Sequence, residues 1–172
     1  MLNGIRVLAI IDDVYEELEL WYPRIRLEEE HATVTVAAPV KGTIAGKHGY
    51  PAVSDIALED VRHEDYQALL LPGGFAPDRL RRRADVKDIT RAFAASNRLI
   101  ACICHGGWIP VSARILKGFR MTGSAGIRDD LENAGAIWED APVVVDRNLI
   151  SSRTPADLRY FARAIVDYLR RR

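Results

Sequence analysis

The chain has 172 residues, 48% apolar and 28% charged, which is the size and make-up of one globular domain, spanning residues 1–172, with a substantial core. Its 24 Lys and Arg balance 24 Asp and Glu, so no basic excess points to a nucleic acid or an anionic membrane surface as partner. The two cysteines, Cys102 and Cys104, stand two apart in an apolar run; no disulfide framework is possible, and a reducing, cytoplasmic setting is expected.

Residues 5–11 are apolar except for Arg6 and stop at Asp12 and Asp13. That run is too short and too early charged for a signal peptide or a membrane span, and it predicts a strand buried on both faces. Leu18, Trp21, Tyr22 and Ile25 follow at helical spacing, with Pro23 expected to kink the helix or delay its start. Residues 32–38 predict a second strand. Residues 42–50, with Gly42, Gly46, Gly49 and then Pro51, predict a small β-hairpin excursion. Residues 68–71 form a short buried strand that ends in Pro72-Gly73-Gly74. Arg79, Arg81, Arg82 and Arg83 predict a solvated helix face.

Val86, Ile89 and Phe93 predict a helix over residues 85–96, and residues 98–103 the next strand. A helix opens at Cys104 or His105. Residues 127–134 read as a helix capped by Gly135, and residues 143–145 and 149–151 as strands about the Asp146-Arg147-Asn148 turn. Thr154 and Pro155 open the last helix, whose core stripe is Leu158, Phe161, Ala162, Ile165 and Leu169. Strands alternating with helices predict an α/β fold: a three-layer sandwich with a mostly parallel sheet and helices on both faces. Such sheets react at the carboxyl ends of their strands.

One strand end carries the strongest chemical signal. A buried strand runs into Cys104-His105-Gly106-Gly107 and then a helix, the arrangement of a nucleophile elbow. Helix N-terminal N–H groups beneath the thiol are expected to lower its pKa. Cys102, inside the strand, is expected to be core. His105, next to the nucleophile, is an acid/base candidate. Gly73 and Gly74 end a neighbouring strand, and a backbone N–H there, with that of His105, is expected to form an oxyanion hole. Glu16, Glu17 and Glu19 open the first helix; any of the three can reach Cys104 if the strands are neighbours and shuttle a proton there. Residues 42–47 have one spacer too few for a phosphate-binding loop, no Gly-x-Gly-x-x-Gly follows the first strand, and the four histidines show no metal-ligand spacing. Neither a cofactor nor a metal is expected.

These residues resemble the PfpI family of intracellular cysteine-peptidase-like proteins, within the wider ThiJ/PfpI superfamily. The similarity runs nearly end to end. It is carried by Tyr15-Glu16-Glu17-Leu18-Glu19-Leu20, Trp21-Tyr22-Pro23, Gly46-Lys47-His48-Gly49, Leu71-Pro72-Gly73-Gly74, Ile103-Cys104-His105-Gly106, Gly126-Ile127-Arg128-Asp129-Asp130 and Ser151-Ser152-Arg153-Thr154-Pro155. The resemblance implies a flavodoxin-like sandwich, Cys104 as nucleophile beside His105, and Glu16 as the carboxyl touching the thiol. It also implies an acidic partner from a neighbouring subunit at Asp78, where relatives often have Glu, and self-association into a dimer or hexamer. Two positions depart from the family pattern, Gly107 in place of a common proline and Pro110 inside the following helix.

The resemblance implies a cysteine-dependent, cofactor-free enzyme acting on carbonyl or acyl groups. Conversion of methylglyoxal to lactate, deglycation and peptide hydrolysis all fall within it, as does a role in stress protection. A small carbonyl substrate is expected over a peptide, since no long insertion builds an extended cleft. The alternative is a redox-sensing or chaperone-like protein that uses an oxidisable Cys104 without turnover.

Overall fold

The computed structural model describes residues 1–171. Its strands, in chain order, are β1 (Arg6–Ile10), β2 (Thr33–Ala38), β3 (Thr43–Ile44), β4 (Ala52–Val53), β5 (Ile56–Ala57), β6 (Ala68–Leu71), β7 (Leu99–Ile103), β8 (Arg120–Met121), β9 (Ile137–Trp138), β10 (Val143–Asp146) and β11 (Leu149–Ser152). The α-helices are α1 (Glu17–Glu29), α2 (Ala76–Leu80), α3 (Ala84–Ala95), α4 (Trp108–Ala113), α5 (Arg128–Asn133) and α6 (Leu158–Leu169).

Seven strands form the central sheet in the order β10-β11-β7-β6-β1-β2-β5. All neighbours are parallel except the β10–β11 hairpin at one edge. Every residue of β6 and β7 is buried, as their unbroken apolar runs require of strands covered on both faces. Helices α1 and α6 pack together in one layer, and α2, α3 and α4 in the other. The predicted hairpin excursion forms as β3 and β4. The chain leaves β1 toward β2 on one side and returns through β6 and β7 on the other. That reversal opens a crevice outside the carboxyl ends of β1 and β6, where sheets of this kind hold ligands.

Helix α6 buries its whole predicted stripe, Leu158, Phe161, Ala162, Ile165 and Leu169. Helix α1 does not follow its apolar spacing. Leu18, Tyr22 and Ile25 are exposed, whereas Leu20, Pro23, Leu27 and two carboxylates, Glu17 and Glu19, face inward. The inward face at this helix start is therefore polar, because it borders the crevice. The helix begins at Glu17 and runs through Pro23 rather than starting late. Thr154 lends no side-chain cap; a 3-10 turn, Pro155–Asp157, leads into α6 instead. The arginine run is not simply solvated. Arg79 reaches Asp12 and the Asp13 carbonyl, Arg81 the Ser112 hydroxyl, Arg82 Asp78, and Arg83 Asp85.

Pro110 is the third residue of α4, close enough to the helix start that its missing N–H deletes little. Gly107 has a packing reason: a Cβ there would lie 3.1 Å from Ile127 Cδ1 and 3.4 Å from Leu131 Cδ2. Gly106 is tighter still. A Cβ there would lie 2.2 Å from the Leu71 carbonyl oxygen, a backbone atom of β6. Gly126, in contrast, has its nearest neighbouring atom at 3.9 Å. Gly106→Ala is therefore expected to destabilise the fold by about 2 kcal/mol or more through forced backbone movement. Gly126→Ala is expected to stay within about 0.5 kcal/mol of the native chain. Urea unfolding of the two variants checks both values.

Candidate functional site

Strand β7 delivers Cys104 to the crevice. Ile103 is extended, at φ −134° and ψ 147°, and Cys104 turns abruptly to φ +58°. A left-handed conformation at a residue other than glycine costs roughly 1–2 kcal/mol, and such strain persists only where the surroundings enforce it. Here Gly106 packs on the Leu71 carbonyl and fixes the turn against β6. The turn itself is a 3-10 segment, Cys104–Gly107, and α4 follows it. The nucleophile-elbow geometry expected from the sequence is present.

The carboxyl beside the thiol is that of Glu19, not Glu16. Glu19 is fully buried. Its Oε2 accepts a hydrogen bond from the Gly73 N–H at 2.7 Å. Its Oε1 is buried and has no hydrogen-bond partner among the described residues, and the carboxyl stands next to the Cys104 thiol, so that each acid acts on the other's ionisation. Gly73 makes this approach possible: a Cβ on it would lie 2.6 Å from Glu19 Oε2 and 2.9 Å from Cys104 Cβ. Glu16 is the N-terminal cap residue of α1, one turn earlier. Its carboxylate points to the rim, 3.4 Å from Lys47 Nζ. The reason is helical geometry. Glu16 and Glu19 sit on one face of the helix start, but only Glu19 lies deep enough to pass Gly73.

Burial shifts the acids at the site. It pushes the Glu19 carboxyl up to about 8, against the opposing Gly73 N–H; the Glu16 charge adds to the rise. Near neutral pH, Glu19 therefore holds a proton. Burial also pushes the Cys104 thiol up to about 12, and the carboxylate form of Glu19 adds to this; the N–H groups of His105 and Gly74 pull the other way. The expected helix-driven lowering of the thiol pKa is overturned. A four-residue 3-10 turn and a six-residue helix offer too little aligned dipole to outweigh desolvation. Cys102 is core, as expected, fully buried, with its thiol also raised to about 12 by desolvation.

The His105 ring stands on the other side of the sulfur, with Nδ1 3.2 Å from Sγ. It packs edge-on against Trp108, centroids 5.0 Å apart. Burial, then the Lys47 charge, holds its pKa below the usual histidine range, so the ring is neutral near pH 7 and able to take a thiol proton. The Gly73 N–H is committed to Glu19, which removes it as an oxyanion donor. The N–H groups of Gly74 and His105 act on the Cys104 thiol, favouring its ionised form, and are the pair left to an oxyanion.

A cavity of about 290 Å³ opens over Cys104, lined among others by Glu16, Glu19, Lys47, His48, His105 and Pro155. Lys47 and His48 come from the hairpin excursion, which clamps onto the start of α1. The Lys47 N–H donates to the Tyr15 carbonyl at 2.9 Å, and the Tyr15 hydroxyl donates to the Tyr50 carbonyl at 2.9 Å. Sequence reasoning missed both residues as parts of the site, because 31 residues separate them from Glu16 and Glu17. Asp78 is not brought to the site of its own chain. Its side chain is 58% exposed and pairs with Arg82 at 2.8 Å.

The model of the DJ-1/PfpI family matches residues 5–168. The chain is 42% identical over 165 residues to a protein named deglycase PfpI from Pyrococcus furiosus, covering 96% of this chain and 99% of that one. It is 37% identical over 166 residues to a putative cysteine protease, YraA, from Bacillus subtilis, covering 96% and 98%. Among solved structures it is similar to the DJ-1/ThiJ/PfpI-like part of a two-domain protein from Anabaena variabilis that also has a ferritin-like domain. The TM-score is 0.94 and the identity 31%, over 96% of this chain and 48% of that one. Drosophila melanogaster DJ-1beta matches with a TM-score of 0.90 at 26% identity, over 96% and 90%. With an elbow cysteine at the strand-order reversal and a family match over nearly its whole length, this chain belongs to the DJ-1/PfpI family.

Proposed function

We propose that the protein is a cysteine-dependent enzyme that adds Cys104 to small carbonyl compounds, with 2-oxoaldehydes such as methylglyoxal as the substrate class. The observation that carries this reading is the fully buried Glu19 carboxyl, packed beside Cys104 across Gly73 and protonated near neutral pH. The deglycase names of relatives fit the same carbonyl chemistry. The cavity of about 290 Å³ lies at the small end of ligand sites and favours a small carbonyl over a peptide.

The steps follow from the groups in place. As the carbon–sulfur bond forms at the aldehyde carbon, His105 Nδ1 takes the thiol proton. The developing oxyanion faces the N–H groups of Gly74 and His105. Glu19 gives its proton to that oxygen, leaving a hemithioacetal. The Glu19 carboxylate then removes the hydrogen on the former aldehyde carbon as a proton and returns it to the adjacent carbon, while the hydroxyl proton passes from the first oxygen to the second. One carbon is oxidised and its neighbour reduced, so no outside oxidant enters. The product is a thioester of a 2-hydroxy acid. Water hydrolyses it to the 2-hydroxy carboxylate; the proton held by His105 returns to the thiolate, one proton set free in the hydrolysis restores Glu19, and the other leaves to solvent. Self-association belongs to this reading too, with exposed Asp78 available to a second copy.

Lactate formed from methylglyoxal is the measurement. Cys104→Ala should abolish turnover. Glu19→Gln should lower kcat by about 10²-fold or more, as loss of an acid/base group does. Glu16→Gln should stay within about tenfold of the native chain. Full turnover in Cys104→Ala, or no turnover of any 2-oxoaldehyde by the native chain, would contradict the reading.

The pH profile has a fixed sign. On the acid side kcat/KM should rise with pH as His105 loses its proton, below the usual histidine range. It should fall again as pH passes through about 8, where Glu19 loses the proton it must donate. A profile still rising beyond pH 9 would show that the working acid is not Glu19.

A further inference from the structure

Three donor atoms from two separated segments converge on the cavity rim. Glu16 and Glu17 are successive residues at the start of α1, and each side chain is only 8% exposed. His48 comes from the hairpin excursion and is 65% exposed. Its Nδ1 lies 2.9 Å from Glu17 Oε2 and 3.7 Å from Glu16 Oε1, and the three donor atoms lie within 4.8 Å of one another. Ligand atoms at zinc bond lengths of about 2.0–2.1 Å stand about 3.4 Å apart in a tetrahedron. The two spacings that involve His48 bracket that value, and the spacing between the two carboxylates is within 4.8 Å.

The charges are unbalanced in the direction a cation would correct. Glu16 Oε1 accepts no hydrogen bond among the described residues, although its side chain is more than nine-tenths buried and aims at His48. The other oxygen of Glu16 has Lys47 Nζ at 3.4 Å. Glu17 divides its work between its two oxygens. Oε1 accepts the His48 N–H at 2.5 Å and the Tyr50 N–H at 3.3 Å, which holds the loop in place. Oε2 faces only the His48 ring, so a metal can replace that contact without releasing the loop.

We propose that Glu16, Glu17 and His48 form a site for a divalent first-row transition ion, zinc being the best match, on the wall of the Cys104 cavity. Two carboxylates and one imidazole suit zinc or cobalt over the all-oxygen shells of magnesium and calcium. Three protein ligands leave a fourth position for water or a ligand. The Lys47 ammonium is the built-in competitor: it partners Glu16 when no ion is bound and must swing away when one is. Its side chain is 38% exposed, so that movement is open to it. The site does not depend on the carbonyl chemistry proposed for Cys104.

The test is a cobalt titration of chelator-stripped protein, followed by the visible absorption of the bound ion and then by displacement with zinc. It is run on Cys104→Ser protein so that the thiol supplies no ligand. One cobalt ion per chain should bind and be displaced by zinc. His48→Ala, a change at an exposed side chain, should weaken binding by about tenfold or more. Lys47→Met should tighten it, a sign that a merely structural role for the loop does not produce. Circular dichroism confirms that each variant is folded; if His48→Ala is not, His48→Gln replaces it. No binding at millimolar cobalt, unchanged affinity on loss of His48, or weaker binding in Lys47→Met would each overturn the proposal. So would binding that appears only when Cys104 is intact.

Discussion

The site depends on one contact, that of a carboxylic acid buried against a thiol. Glu19 passes beside Gly73 to meet Cys104, and only the absence of a side chain at Gly73 leaves room for it. A carboxylate in that position would sit with one oxygen bonded to the Gly73 N–H and the other given no N–H or O–H. Desolvation of a charge so poorly solvated favours the protonated acid. The same burial keeps the thiol protonated. Two acids, a neutral imidazole and two free N–H groups therefore stand around one small cavity, and each has a proton to give, take or share.

Strained and tightly fitted backbone holds these groups in place. Cys104 adopts φ +58° and Val14, on the loop between β1 and α1, φ +66°. For a β-branched residue this is a rare conformation. Val14 is fastened from both sides. Its N–H donates to the Ala45 carbonyl at 2.7 Å, and its carbonyl accepts the Phe75 N–H at 2.9 Å. Tyr15 makes isolated bridges with Gly46 on one side and Gly74 on the other. The loop that aims Glu16, Glu17 and Glu19 is thus woven between the hairpin excursion and the end of β6. Three strand ends and the hairpin fix one another, so the strain at Val14 and Cys104 is distributed across the crevice.

Much of this was legible in the sequence because burial writes itself into apolar periodicity. The strand β7 and the stripe of α6 follow from their residue patterns alone, and the family resemblance agrees with the family match. The elbow was legible because a cysteine, a histidine and two glycines directly after a buried strand demand a tight turn at the sheet's reactive edge. What escaped is set by the third dimension. Choosing Glu19 over Glu16 requires knowing which carboxylate passes Gly73. The inward face of α1 combines Glu17 and Glu19 with Leu20, Pro23 and Leu27, so the apolar spacing of Leu18, Tyr22 and Ile25 marked the outer face. The strands β5, β8 and β9 are two residues each, too short to show a period. Lys47 and His48 reach the site only because the hairpin folds back on α1. The thiol pKa was misjudged because helix orientation is readable from sequence, whereas depth of burial is not.

The central claim is that Glu19 holds its proton near neutral pH. Infrared difference spectroscopy between the native chain and Glu19→Gln, titrated with pH, isolates the carbonyl stretch of that one carboxylic acid. The expected result is a protonated-acid band that is full at pH 6 and disappears as pH passes through about 8. A carboxylate signature already complete at pH 6 would contradict it, and with it the assignment of Glu19 as the group that moves the proton.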